Sequence, residues 1–216
     1  VRENKVTGNI PLTADFSQIA VAPSGEQLFL TNAAGKQLSV IQISQVYDIP
    51  KGSSPVIGKA GAPVTVFAFL DYQWPYCSRI YPVLEQLLEK YPTQVNMVIK
   101  HFPLRMHKFA EKASIAALAA DKQGKYGEMT VVLLNNFKNL NDATIKKHAE
   151  TVGLNMEQFN KDMNDPALKK QVQGDMKLGN SVKVRGVPAI FINGRTAKQR
   201  SLEGFSAMVE QELKKK

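Results

Sequence analysis

Val64-Thr65-Val66-Phe67-Ala68-Phe69-Leu70, followed by Asp71-Tyr72-Gln73 and then Trp74-Pro75-Tyr76-Cys77, is the stretch on which the reading of this chain turns. The first seven residues are apolar or β-branched and predict a buried strand. Ser78 to Tyr91 has helical spacing, and Pro75 suits a first helical position. A strand, a short turn and a helix N-terminus bearing a cysteine form the layout of a thiol–disulfide site. Such a site normally carries two cysteines spaced C-x-x-C. Here Trp74 stands at the first position, and Cys77 is the only cysteine in the chain.

Working outward, the segment 94–100 predicts a second strand with Val95, Met97 and Ile99 on one face. The strand–helix–strand order favours a parallel pair with a right-handed crossover. A long helical region follows, from about His107 to Val182. Its first helix brings Ala113, Ala116, Ala117 and Ala120 together at helical spacing. Gly124, Gly127, Asn139 to Asp142 and Asp165-Pro166 divide the region into about four helices. Val187 to Ile192 returns to strand, Asn193-Gly194 signals a hairpin, Ser201 to Gly204 reads as an edge strand, and Phe205 to Lys214 as a terminal amphipathic helix. The order is that of an α/β, thioredoxin-like fold with an inserted helical domain at about 106–182.

Residues 1–55 have a different texture. Gln27 to Asn32 and Gln37 to Ser44 read as strands, with turns at Pro23-Ser24-Gly25-Glu26 and Ala33-Ala34-Gly35-Lys36. This predicts a small N-terminal β extension, closed by a linker at Pro50 to Pro55, with the main domain at 56–216. An isolated hairpin is marginal in water, so the extension must pack on something.

The chain has 216 residues, 44% hydrophobic and 22% charged, which is ordinary for a globular protein. No run of eighteen apolar residues predicts a membrane span. It starts at Val1, which suggests a processed form without a visible signal peptide. Net charge is +9, with the basic residues spread along the sequence and the densest run at Lys214-Lys215-Lys216. That pattern favours a solvated basic surface, and no nucleic-acid partner is expected. A single cysteine excludes an internal disulfide and a cysteine-rich zinc site. His101, His107 and His148 lack metal-ligand spacing and read as packing or surface histidines. Neither a metal nor a cofactor is expected.

Residues 62–214 resemble the DsbA/DsbG-type thioredoxin-fold proteins of the bacterial periplasm. The likeness lies in Phe69-Leu70-Asp71-Tyr72-Gln73, in W-P-Y-C-S-R where the family has C-P-Y-C-S-R, in His101-Phe102-Pro103-Leu104, and in Arg185 to Gly194. The resemblance implies a thiol–disulfide oxidoreductase or isomerase, periplasmic or secreted. Its partners would be cysteine-containing or unfolded proteins, and a membrane redox partner. It implies Trp74 at the place of the attacking cysteine and Cys77 at that of the resolving one. Pro75, Tyr76, Val187 and Pro188 would face the bound polypeptide. Alone, the residues read Pro188 as a trans proline opening a strand; the resemblance implies a cis bond. The N-terminal unit is similar to the dimerisation extension of the isomerase branch, which makes a homodimer a second expectation. A propeller-blade-like hairpin is the other reading of that segment.

Trp74 changes the chemistry. With one cysteine the chain cannot hold or donate an internal disulfide. The helix N-terminus lowers the Cys77 pKa, an overlying indole raises it, and the sequence does not rank the two. Three accounts of Trp74 stay open: natural loss of the first cysteine, a substitution in a C-P-Y-C protein, or a lone thiol that forms mixed disulfides. Simple packing is the alternative for Cys77. A non-redox peptide-binding or chaperone module on the same fold is the competing function. A glutathione-dependent relative is a third, but tryptophan cannot supply the serine hydroxyl such a site uses.

Overall fold

The computed structural model describes residues 16–23, 27–43 and 45–215, excluding the side chain of Gln42. The chain divides into two compact units, 1–45 and 46–216.

The first unit holds three antiparallel strands, β1 (Gln18–Val21), β2 (Gln27–Asn32) and β3 (Gln37–Gln42), in that order. Asn32 closes the expected turn at Ala33 to Lys36, its side-chain oxygen accepting from Gly35 N–H at 2.8 Å. Of the turn expected at Pro23 to Glu26, the last three residues lie outside the described residues, as does Ser44. The register places Ile19 and Val21 on one face, and Phe29, Leu38 and Val40 on the other. Ile19, Val21, Leu38 and Val40 are all at least half exposed, and among the described residues of this unit Leu30 alone is buried. A three-stranded sheet with apolar side chains on both faces cannot bury them by itself.

The second unit begins earlier than the sequence suggests. Val46 bridges to Arg195, Tyr47 N–H donates to the Gly194 carbonyl at 2.8 Å, and Ile49 enters the core. The stretch 50–55, expected as a linker, is therefore held by the domain. The physical reason is Lys100. Its buried ammonium donates to the Lys51 carbonyl and to Ser54 Oγ, both at 2.9 Å, and pairs with Asp175 at 3.3 Å. A buried cation must recruit such acceptors.

The main sheet contains β4 (Val56–Gly58), β5 (Val64–Leu70), β6 (Val95–His101), β7 (Ala189–Ile192) and β8 (Arg195–Thr196), ordered β4-β6-β5-β7-β8. Only β5 and β6 run parallel; the other neighbours are antiparallel. Every residue of β5 and of β6 is buried, as helices on both faces require. The crossover helix α1 (Pro75–Lys90) turns Cys77, Ile80, Tyr81, Leu84 and Leu87 inward at helical spacing. The short edge strand β4 was not apparent in the sequence.

Between β6 and β7 the chain forms α2 (Ala110–Asp121), α3 (Tyr126–Asn135), a 3-10 turn (Phe137–Asn139), α4 (Asp142–Thr151), α5 (Met156–Asp162) and α6 (Pro166–Ser181). Sequence reading anticipated about four helices. Gly127 lies inside α3 and breaks nothing. The unforeseen break is Gly153, at φ +76, followed by the Asn155 cap, whose side chain accepts from Gln158 N–H. The alanine stripe of α2 is fully buried, as expected of close helix packing. Ser201 to Gly204, expected as a strand, instead starts α7 (Leu202–Leu213). Ser201 Oγ accepts from Gly204 N–H, and this N-cap replaces strand pairing. The edge strand on that side of the sheet is β8. Among the described residues no helix is long and apolar enough to cross a membrane.

The hairpin joining β7 and β8 turns on Asn193 (φ 44) and Gly194 (φ 80), the type I′ pattern that Asn-Gly favours. A Cβ at Gly194 would collide with the Tyr47 carbonyl. Replacing Gly194 with Ala should therefore destabilise the domain by about 2–4 kcal/mol, combining left-handed strain with overpacking. Urea denaturation measures this directly.

His101 ends β6 with no exposed surface, its Nε2 3.4 Å from the Tyr126 hydroxyl. Burial, aided by the Lys100 charge, lowers its pKa to about 3 from the usual 6.5, so the folded chain holds it neutral. The unfolded chain takes up that proton first. Stability should be full above pH 6.5 and fall by up to about 1.4 kcal/mol per pH unit towards pH 3. In a His101→Gln variant that share of the acid slope should vanish, as read from urea midpoints at neutral and acid pH.

Candidate functional site

The site is built on the end of β5. Asp71 to Trp74 is a closed turn: Trp74 N–H donates to the Asp71 carbonyl at 3.2 Å, and Gln73 N–H to Asp71 Oδ1 at 2.6 Å. Aspartate at the first position of a turn makes this second bond readily. Asp71 is wholly buried. Its Oδ2 also accepts from Leu104 N–H at 2.7 Å and lies 2.8 Å from His107 Nδ1. A carboxylate can only accept, so the imidazole donates there. Gln73 Oε1 accepts from Phe109 N–H at 2.6 Å. Asp71 and Gln73 thus fasten the turn to the loop after β6, residues 102–109.

Trp74 is the N-cap residue of α1, with an extended backbone and no side-chain cap, and Pro75 is at the first helical position. The indole is partly buried. It leans on His107, with centroids 5.5 Å apart, and on Tyr76 at 5.4 Å. Tyr76 is 54% exposed and carries the Arg79 guanidinium over its ring at 5.1 Å. Cys77 sits one turn in, with no exposed surface, and its sulfur accepts from Asp71 N–H at 3.5 Å. Desolvation pushes its thiol up to about 12, and the Asp71 charge adds to this. The Asp71 N–H and the more distant Arg200 oppose it without prevailing. Burial therefore wins over the helix N-terminus. A thiol titrating near 12 is ionised at neutral pH to the order of one part in 10⁵.

The Val187–Pro188 peptide bond is cis. Both residues are buried just before β7. Ala189 pairs with Phe69 of β5, so the register carries Pro188 onward beside Leu70, at the sheet end where the Asp71 turn begins. The structure thus gathers Trp74, Pro75, Tyr76, Cys77, Val187 and Pro188 at one end of the sheet. Sequence reasoning missed the residues that hold this end together, Asp71, Gln73 and His107. His107 lies 36 positions from Asp71, and its spacing marks no motif. Two cavities lie elsewhere. One of about 620 Å³ is enclosed by α2, α4, α5 and the start of α6, and one of about 280 Å³ adjoins Ser54, Lys100 and Asp175. No group of His, Cys, Asp and Glu suited to a metal occurs among the described residues.

The family profile described as thioredoxin matches residues 51–211. The Na(+)/H(+) antiporter NhaA 3 of Salinispora tropica is 35% identical over 141 residues, 65% of this chain and 22% of the antiporter. The chain matches about a quarter or less of such antiporters' length. The probable disulfide bond formation protein D of Bacillus cereus is 28% identical over 176 residues, covering 74% of this chain and 78% of that protein. Among solved structures, a thioredoxin-like oxidoreductase from Silicibacter pomeroyi superposes with a TM-score of 0.67 at 27% identity. It covers 76% of this chain and 94% of its own.

The buried, protonated thiol predicts poor reactivity. Alkylation of Cys77 by iodoacetamide in the folded protein should be at least about a thousandfold slower than in the urea-unfolded chain at the same mildly alkaline pH. Mass spectrometry of the labelled fraction over time measures both rates.

Proposed function

The chain belongs to the thioredoxin family, and on that footing we propose that its DsbA-like thiol–disulfide oxidoreductase fold serves as a polypeptide-binding scaffold whose dithiol exchange is lost at position 74. The observation that carries this reading is Cys77. It has no exposed surface, burial pushes its thiol up to about 12, and Trp74 stands where the family resemblance puts the attacking cysteine. Without that thiolate no mixed disulfide with a client can start. What remains at the sheet end is a contact surface: the partly buried Trp74, the exposed Tyr76, and backbone next to the cis Val187–Pro188 bond. The clients would be unfolded or cysteine-containing polypeptides.

The resemblance to the periplasmic DsbA/DsbG-type proteins supports a periplasmic or secreted setting. The antiporter relatives, in which only part of a much longer chain corresponds to this one, add a membrane protein as a partner class. The exposed apolar side chains on both faces of the β1-β2-β3 sheet support self-association through that unit.

Insulin reduction by dithiothreitol, run on this chain and on Trp74→Cys, separates scaffold from chemistry. This chain should be silent and the revertant active, because the Asp71–His107 frame around position 74 is intact. Intrinsic fluorescence of Trp74, the only tryptophan, should respond to an unfolded peptide and do so equally in Cys77→Ser. Catalysis by the chain as it stands, or a peptide response lost with the thiol, overturns the proposal.

A further inference from the structure

The basic residues are spread through the sequence, but the fold collects many of them at one place. Four connecting segments meet at the end of the sheet that carries Trp74. The turn 71–74 follows β5. The loop 102–109 follows β6, which runs parallel to β5. The segment 182–188 leads into β7, which starts opposite Phe69. The segment 198–201 follows β8, which returns antiparallel to β7, with Ala197 N–H donating to the Ile190 carbonyl at 2.8 Å. Among the cations of these segments and of the second turn of α1, Arg79, Arg105, Lys108, Lys183, Arg185 and Arg200 are exposed. The positive field of Arg200 reaches the Cys77 thiol, which agrees with that placement.

The same segments contain one carboxylate, Asp71, which is buried and fully engaged by hydrogen bonds. The acids nearest along the chain are Glu111 and Glu203, in the first turns of α2 and α7. Glu111 already faces Lys169 at 3.9 Å. Among the described residues none of the six cations takes part in an ion pair. Arg79 and Lys108 lie over the neighbouring rings of Tyr76 and Phe109, which leaves their charge in place. Like charges held together without counter-ions repel one another, and an anionic partner relieves that repulsion.

We propose that this end of the domain is a docking face for acidic polypeptide segments, with Asp or Glu side chains engaging the ring of cations around Trp74 and Tyr76. The inference rests on the polypeptide-binding reading and adds the charge of the client. A polypeptide fits better than a nucleic acid. Base stacking needs open ring faces, yet Trp74 leans on His107 and Tyr76, and Arg79 covers the Tyr76 ring. The apolar surface left open includes Met106, 76% exposed between Arg105 and the loop's end. A thioether suits varied side chains.

Trp74 fluorescence gives a direct test. The probes are an unstructured peptide with aspartate at alternate positions and its asparagine and lysine counterparts. A single-stranded DNA oligomer and phosphatidylglycerol vesicles complete the set. The aspartate peptide should bind about tenfold tighter than the asparagine one, with the lysine peptide weakest. Arg105→Glu combined with Arg185→Glu, or raised salt, should remove that ranking. Both substituted residues are exposed, and circular dichroism confirms the fold of the variant. Equal affinity for all three peptides overturns the charge inference and leaves the binding site standing. Tighter binding of the oligomer or the vesicles overturns it in favour of that partner. Absence of binding by every peptide removes the reading beneath it as well.

Discussion

One buried carboxylate holds the functional end of this protein together. Asp71 leaves the last position of a fully buried strand, where an unpaired charge would be severely destabilising. It is tolerated because donors converge on it: Gln73 N–H from its own turn, and Leu104 N–H and His107 from the loop after the neighbouring strand. Those bonds fix the turn, and the turn fixes where α1 begins. The helix start then places Trp74, Tyr76 and Cys77. His107, held from below by Asp71, supplies the surface against which the indole rests. A group required only to satisfy a charge thus also positions the residue that closes the site.

The balance at Cys77 can be ranked by magnitude. The free N–H groups at a helix N-terminus favour an anion by about 0.3–1 kcal/mol. Moving the thiol's titration from 9.0 to about 12 corresponds to roughly 4 kcal/mol against the thiolate. Burial is the larger effect, and the Asp71 charge reinforces it. In a C-x-x-C site the exposed first cysteine receives the help of the helix terminus, and the second is inert until called on. With tryptophan in the first place, only the inert partner is left. The thiol that is present is thus the desolvated one, and the proposed contact surface builds on that.

Charge shows a second effect of folding. A net charge of +9 scattered over the chain looks like a solvated surface. The parallel β5–β6 pair and the antiparallel return of β7 and β8 bring four separate loops to one sheet end. Loops far apart in sequence that carry arginines and lysines share that end, and Arg79 lies over the Tyr76 ring. Elsewhere the fold absorbs charge into the interior, where Lys100 and Asp175 pair and draw the 51–54 segment onto the domain.

Local chemistry made several features legible in the sequence. The apolar run Val64 to Leu70 marked β5 to the residue, because its side chains must be hidden on both faces. Asn193-Gly194 marked the hairpin, because few other pairs accept two positive φ angles. The alanine stripe of α2 announced close helix packing. Other features depended on contacts between distant residues. The Pro50 to Pro55 stretch has linker composition, and only Lys100 shows it to be part of the domain. Ser201 to Gly204 looks extended, but its serine caps a helix. His107 has no motif around it and gains its place through Asp71. The sequence by itself determined most of the elements and the single cysteine, since these follow from side-chain pattern and identity. Only the tertiary structure decided that Cys77 is desolvated, that His107 supports Trp74 and that the cation-bearing loops share one sheet end, because burial and proximity arise when separated segments come together.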